Sequence, residues 1–146
     1  MKTVFTTLLL LVIGSVPAWA ALGQYESSVS LDQKFIAGQD RQVVRQGYHL
    51  HEITTSDGSF VREYVSPAGI VFGVSWQGHA IPNLQQLLGS HMADLQSAPK
   101  RVVPRRSVLV KTDTFVFVSI GHLRSFQGHA YVPSLIPSNL GPEVVQ

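Results

Sequence analysis

The chain has 146 residues, no cysteine, and eleven Lys and Arg against nine Asp and Glu. The missing cysteine excludes a disulfide framework and a lipid anchor carried on cysteine. Near-neutral charge, with no nucleic-acid motif and no aromatic residues interleaved with basic ones, excludes a nucleic-acid-binding module.

Met1 to Ala20 reads as an export signal. Lys2 supplies the positive start, Val4 to Val16 the apolar run, and Ala18-Trp19-Ala20 the small-x-small site, so cleavage is expected between Ala20 and Ala21. The run is about 13 residues long, short of the roughly 20 that a membrane-crossing helix needs, and Pro17 follows it. Every later apolar run is cut by charge, Gly or Pro, which predicts no membrane span after cleavage. Processing would leave residues 21–146 with ten basic and nine acidic side chains, a net charge of +1, as one domain able to bury its own core. The expected location is the periplasm or the exterior of a bacterium.

Residues 21–41 are weakly patterned, with one short helix expected over Ser30 to Ala37 and ended by Gly38. From 42 to 77 the pattern is a three-stranded meander: Gln42 to Thr54, Ser59 to Ser66 and Ile70 to Gln77. Its connections, Ser56-Asp57-Gly58 and Pro67-Ala68-Gly69, are three-residue loops ending in Gly. The first loop sets Ile53 opposite Val61, Glu52 opposite Arg62, His51 opposite Glu63 and Leu50 opposite Tyr64, joining opposite charges and apolar pairs. A two-residue loop would set Glu52 against Glu63. Carrying the register through the second loop places Tyr64 opposite Phe72, Arg62 opposite Val74 and Phe60 opposite Trp76.

This register collects Leu50, Phe60, Tyr64, Ile70, Phe72, Val74 and Trp76 on one sheet face. The other face carries His49, His51, Ile53, Val61, Glu63, Val65, Val71 and Ser75. At about 1.5–3 kcal/mol per large apolar side chain, the aromatic face must be covered. A helix over 83–97 is the expected cover: Asn83 caps it, Gln86 completes a capping box, and Leu84, Leu87, Leu88, His91 and Leu95 form one stripe. Residues 98–107 form a connector holding Lys100, Arg101, Arg105 and Arg106. It suits either a polyanion contact or a solvated link that guards the next strand against aggregation. Further strands are expected within 108–132, and 133–146, with Pro133, Pro137 and Pro142, reads as a C-terminal loop and tail. The fold expected is α+β, an antiparallel sheet of five or six strands with one main helix on one face.

The stretches HEITTSDGSFVREYVSPAGIVFGVSWQG, IPNLQQLLG and GHLRSFQGHAYVP resemble a family of small exported bacterial proteins, domain of unknown function 2844. The likeness spans the whole processed chain. It implies an exported single domain and carries neither an activity nor catalytic residues.

Two constellations invite chemistry. Glu52 and Arg62 on the aromatic face, with Tyr64, Trp76 and His91 nearby, suit a polar group in an apolar ligand cleft, and carboxylate, guanidinium and imidazole could serve acid-base work. The plainer alternative lays Arg62 along the aromatics with its head in water. His49 and His51 share a face with Glu63 and could ligate zinc or copper; otherwise His51 and Glu63 are a cross-strand pair. No Gly-x-Ser-x-Gly elbow, phosphate-cradling loop or His-Glu-x-x-His occurs, so no cofactor is expected. The leading expectation is a noncatalytic module that binds a protein or small-molecule partner in the cell envelope.

Overall fold

A computed structural model describes residues 22–99, 101–103 and 107–146. The signal segment with its Ala20–Ala21 cleavage site, and Lys100, Arg105 and Arg106 of the basic connector, lie outside the described residues.

After a 3₁₀ turn at Glu26–Ser28 comes α1 (Val29–Ile36), then β1 (Gln39–Arg45), β2 (Tyr48–Thr54), β3 (Phe60–Val65) and β4 (Val71–Gly78). Two short helices follow, α2 (Leu84–Leu88) and α3 (His91–Ser97). The chain then forms β5 (Arg101–Val103), β6 (Ser107–Lys111), β7 (Val116–His122) and β8 (Ser125–Tyr131). The strands make one antiparallel sheet in the order β1-β2-β3-β4-β8-β7-β6-β5. It consists of two meanders joined where β4 pairs with β8.

The α+β class agrees with expectation, but among the described residues the sheet has eight strands rather than five or six. One added strand comes from splitting Gln42 to Thr54 at Gln46-Gly47, where Gly47 takes φ 90° and Arg45 pairs with Tyr48. Gln46 has no positive φ, so the bend lacks the Asn-Gly signature that marks most two-residue hairpins. The other is the three-residue β5, inside the stretch expected as a connector. The helix expected over 83–97 is two helices, because Gly89 at φ 52° leaves helical geometry between them. Asn83 does cap the first, its side chain accepting from the Gln86 N–H at 3.1 Å. α1 ends one residue early, with Ala37 rather than Gly38 in the left-handed conformation.

The first hairpin has the expected register throughout: Leu50 with Tyr64, His51 with Glu63, Glu52 with Arg62, Ile53 with Val61. The second does not. Its loop closes as expected, the Ser66 N–H donating to the Ile70 carbonyl at 2.8 Å, but Val65 pairs with Val71 and Tyr64 with Gly73, leaving Phe72 as an extra residue. This bulge shifts the rest by one place, so Arg62 faces Ser75, Val61 faces Trp76 and Phe60 faces Gln77.

The bulge redistributes the rings. Val71, Val74 and Trp76 join Ile53, Val61 and Val65 on the face that α1, α2 and α3 cover, with Leu22, Val29, Leu87, Leu88, Leu95, Phe115 and Phe117. Phe72 instead joins Leu50 and Tyr64 on the opposite face. The single aromatic face is therefore corrected: Phe72 and Trp76 lie on opposite sides of the sheet, and the helices cover the side carrying Ile53 and Val61. The Phe72 side is covered by the C-terminal segment. Leu135, Ile136, Leu140, Val144 and the buried Val145 pack there, and the Gln146 carbonyl accepts from the Tyr64 and Ser75 hydroxyls at 2.6 and 2.7 Å. Gly73 makes room, since a Cβ there would lie 2.6 Å from a Val145 methyl. Far from loose, the tail is the lid of this second core.

Candidate functional site

An apolar opening lies at the helix margin of the sheet. α1 carries Phe35 and Ile36 to its last turn, and the β2–β3 loop brings Thr55, Ser56, Asp57 and Ser59 beside Phe60 and Val61. Trp76 of β4 and the Ala80-Ile81-Pro82-Asn83 approach to α2 complete a cleft of about 480 Å³. That volume falls in the range of small-molecule sites. Phe35 and Ile81 stand at its rim, 57% and 47% exposed, although both are large and apolar. Trp76 is buried, packs 5.7 Å from the Phe117 ring, and its indole N–H has no acceptor among the described residues. At the polar edge, hydrogen bonds from the Thr55 hydroxyl and from Ser59 hold the Asp57 carboxyl below its usual range.

Behind this cleft lies a polar network between helices and sheet. Asp32 interrupts the inward stripe of α1 and is fully buried, as is Glu63 of β3 beneath it. The Gln86 side-chain amide of α2 donates to Asp32 at 2.6 Å. Asp32 Oδ2 and both Glu63 carboxyl oxygens are buried with no hydrogen-bond donor among the described residues, and the two carboxyl groups neighbour each other, so a proton held between them would give both a partner. Burial pushes the Asp32 carboxyl up to about 6, and burial together with the Asp32 charge pushes Glu63 well above the carboxylate range. Toward the surface, His51 places Nδ1 2.9 Å from Asp40 and Nε2 3.0 Å from Glu26. Both contacts are hydrogen bonds only when the ring carries two protons. His49 lies 3.4 Å from the same Glu26 oxygen, and the Gln42 amide donates to it at 2.9 Å. The His51 contact holds the Glu26 carboxyl below its ordinary value.

The residues singled out in the sequence fall into three places. Glu52 and Arg62 do pair, Arg62 Nε donating at 2.7 Å, and the guanidinium lies 4.3 Å over the Phe60 ring. With Tyr64 they line a groove of about 490 Å³ on the sheet face opposite the helices, where Arg41, Arg45 and Tyr48 add a cationic, aromatic wall suited to an oxyanion. Trp76 belongs to the apolar cleft. His91 is in neither: it stacks on Phe115 at 5.4 Å on the helix-covered face and hydrogen-bonds Asp94 at 2.8 Å. The structure therefore separates Glu52 and Arg62 from His91, removing the geometric basis of the acid-base reading.

His49 and His51 share a face with Glu63 as expected, yet the histidines turn to Glu26 and Asp40 while Glu63 turns to Asp32. Among the described residues no group of three or more His, Cys, Asp or Glu is arranged to hold a metal ion. Sequence reasoning missed Phe35, Ile81 and the Asp32–Glu63 pair. The signal for the pair was present: Val29, Asp32 and Ile36 lie on one helical stripe, and a carboxylate among inward positions demands a polar partner.

The chain belongs to DUF2844, a family described as protein of unknown function, whose model matches residues 18–145. No curated protein and no solved structure matches it. Among the described residues no helix is long and apolar enough to cross a membrane.

Proposed function

We propose that this member of the family is a noncatalytic ligand-binding module of the bacterial cell envelope that holds a small apolar ligand in the cleft between α1 and the sheet. The observation carrying this reading is the cleft itself, about 480 Å³, with Phe35 and Ile81 left exposed at its rim. Exposed apolar side chains flanking a concave site lose that exposure when a ligand enters, which supplies the driving force.

Trp76 is the only tryptophan beyond Trp19, so tryptophan fluorescence of the processed chain comes from a residue that lines this cleft, and the substitutions at the cleft rim show whether a response arises there. Titration with the uncharged probe N-phenyl-1-naphthylamine is expected to quench Trp76 and saturate. Phe35→Asp and Ile81→Asp are each expected to weaken binding at least about tenfold, since a charge would be buried with the ligand. Both sites are exposed, so unfolding free energies should hold within about 0.5 kcal/mol. Failure to bind, or binding indifferent to both substitutions, would refute the cleft.

The export half of the reading has its own test. Leu22, two residues past the expected cleavage site, is already buried, and its N–H donates to the Leu87 carbonyl at 3.0 Å. Full-length protein expressed in a Gram-negative host is expected in the periplasm or the culture medium with Ala21 as its first residue. An uncleaved cytoplasmic product would contradict export.

A further inference from the structure

We propose that the buried Asp32–Glu63 pair is a proton-dependent latch: it holds α1 and α2 against the sheet, keeping the apolar cleft in its binding shape, and loosens them when the pair loses its protons. The inference rests on the cleft reading above and names the regulation of that same site.

Its basis is the placement of three side chains. Asp32 lies on α1, three residues before Phe35 and four before Ile36, which wall the cleft. Glu63 lies on β3, two residues after cleft-lining Val61. Gln86 lies on α2, three residues after Asn83, which closes the cleft's other end. Asp32, Gln86 and Glu63 thus tie both helical walls of the cleft to the sheet through one buried polar cluster. Neither carboxyl has an ion pair with a described Lys or Arg. The charged group facing Glu63 from β1 is Asp40, another carboxylate. β2 contributes His51, which spends its ring on Asp40 and on Glu26 from the segment before α1. α2 contributes only the neutral Gln86 amide, and Lys34 of α1 is exposed.

A fully protonated pair is uncharged, and a singly protonated one shares its proton and keeps the Gln86 bond. Loss of both protons sets two like charges together, buried and with no Lys or Arg ion pair among the described residues, and the repulsion is relieved by separating α1 from β3. Both helices are short, α1 of eight residues and α2 of five, so little besides this contact and their apolar stripes holds them.

The test measures N-phenyl-1-naphthylamine affinity and hydrogen exchange of the α1 amides between pH 5.5 and pH 9, in the processed protein and in Glu63→Gln and Asp32→Asn. The probe stays uncharged over this range. Wild type is expected to bind about tenfold more weakly at pH 9, equivalent to one unit of differential protonation. Its α1 amides should open faster than those of β3 and β4 after correction for intrinsic exchange. Glu63→Gln keeps a neutral donor beside Asp32, and its affinity should change less than twofold, with α1 protection retained. Asp32→Asn provides the same comparison from the other side of the contact if Glu63→Gln does not fold. A wild-type affinity and α1 exchange independent of pH, or variants that keep the wild-type dependence, would overturn the latch. Absence of probe binding at every pH would refute the cleft instead, and α1 exchange alone would then decide the latch.

Discussion

Phe72→Ala is expected to lower the unfolding free energy by about 3–5 kcal/mol, the cost of emptying a fully enclosed aromatic site. Phe72 is completely buried, with its ring 6.2 Å from Tyr48 and 6.1 Å from Tyr64 by centroid. The site cannot collapse easily. The cluster around it draws on β1, β2, β3, β8 and the C-terminal segment, and the bulge fixes the backbone that presents the ring. Urea unfolding read by circular dichroism gives the value directly, with Phe35→Ala as the control, because Phe35 is more than half exposed. A loss below about 1 kcal/mol for Phe72→Ala would mean that Phe72 does not occupy the bulge and that the two-faced arrangement of the rings is wrong.

Stability should fall as pH rises from 4 toward 8, the reverse of the usual acid-side behaviour of carboxylates. The Asp32 carboxyl, held at about 6 by burial, titrates near 3.9 when unfolded. A raised folded value means that the folded state binds the proton more tightly. Its contribution is complete below the unfolded value and is lost as pH rises through the folded one, on the order of 2–3 kcal/mol. Glu63, pushed higher still, extends the loss to more alkaline pH. Glu26 acts with the opposite sign: its depressed carboxyl stabilises the fold above the ordinary glutamate range and loses that contribution as pH falls through the folded value. A stability maximum at mildly acidic pH follows. Urea midpoints measured at half-unit intervals from pH 4 to 8 should show it, and Glu63→Gln should flatten the neutral limb. A wild-type profile rising steadily to pH 8 would place Asp32 or Glu63 in water.

The first hairpin is legible in the sequence because its loop and its side chains agree. Gly58 supplies the left-handed residue at φ 81°, and the resulting alignment of Glu52 with Arg62 leaves no like charges facing. The second hairpin has an equally clear loop, yet its ladder is decided at Phe72-Gly73, where two residues share one partner. Nothing local marks that position except a glycine after a ring, because the gain comes from Val145, more than seventy residues later, filling the space over Gly73. From that one slip follows the misassignment of Trp76, and with it the grouping of Trp76 and His91 with Glu52 and Arg62. Asn83 and the Leu87, Leu88, Leu95 stripe are local and were readable. The cleft was not, since Phe35 and Ile81 are forty-six residues apart and meet only through the packing of α1 beside the approach to α2.

The most direct test of the cleft is an amide ¹H–¹⁵N correlation spectrum of the processed protein recorded with and without N-phenyl-1-naphthylamine. Shift changes are predicted at Phe35 and Ile36, across Thr55 to Val61, at Ile81, and at the Trp76 indole N–H. Changes confined to Arg41, Arg45, Glu52 and Arg62 on the opposite face, with Trp76 and Phe35 unmoved, would contradict it.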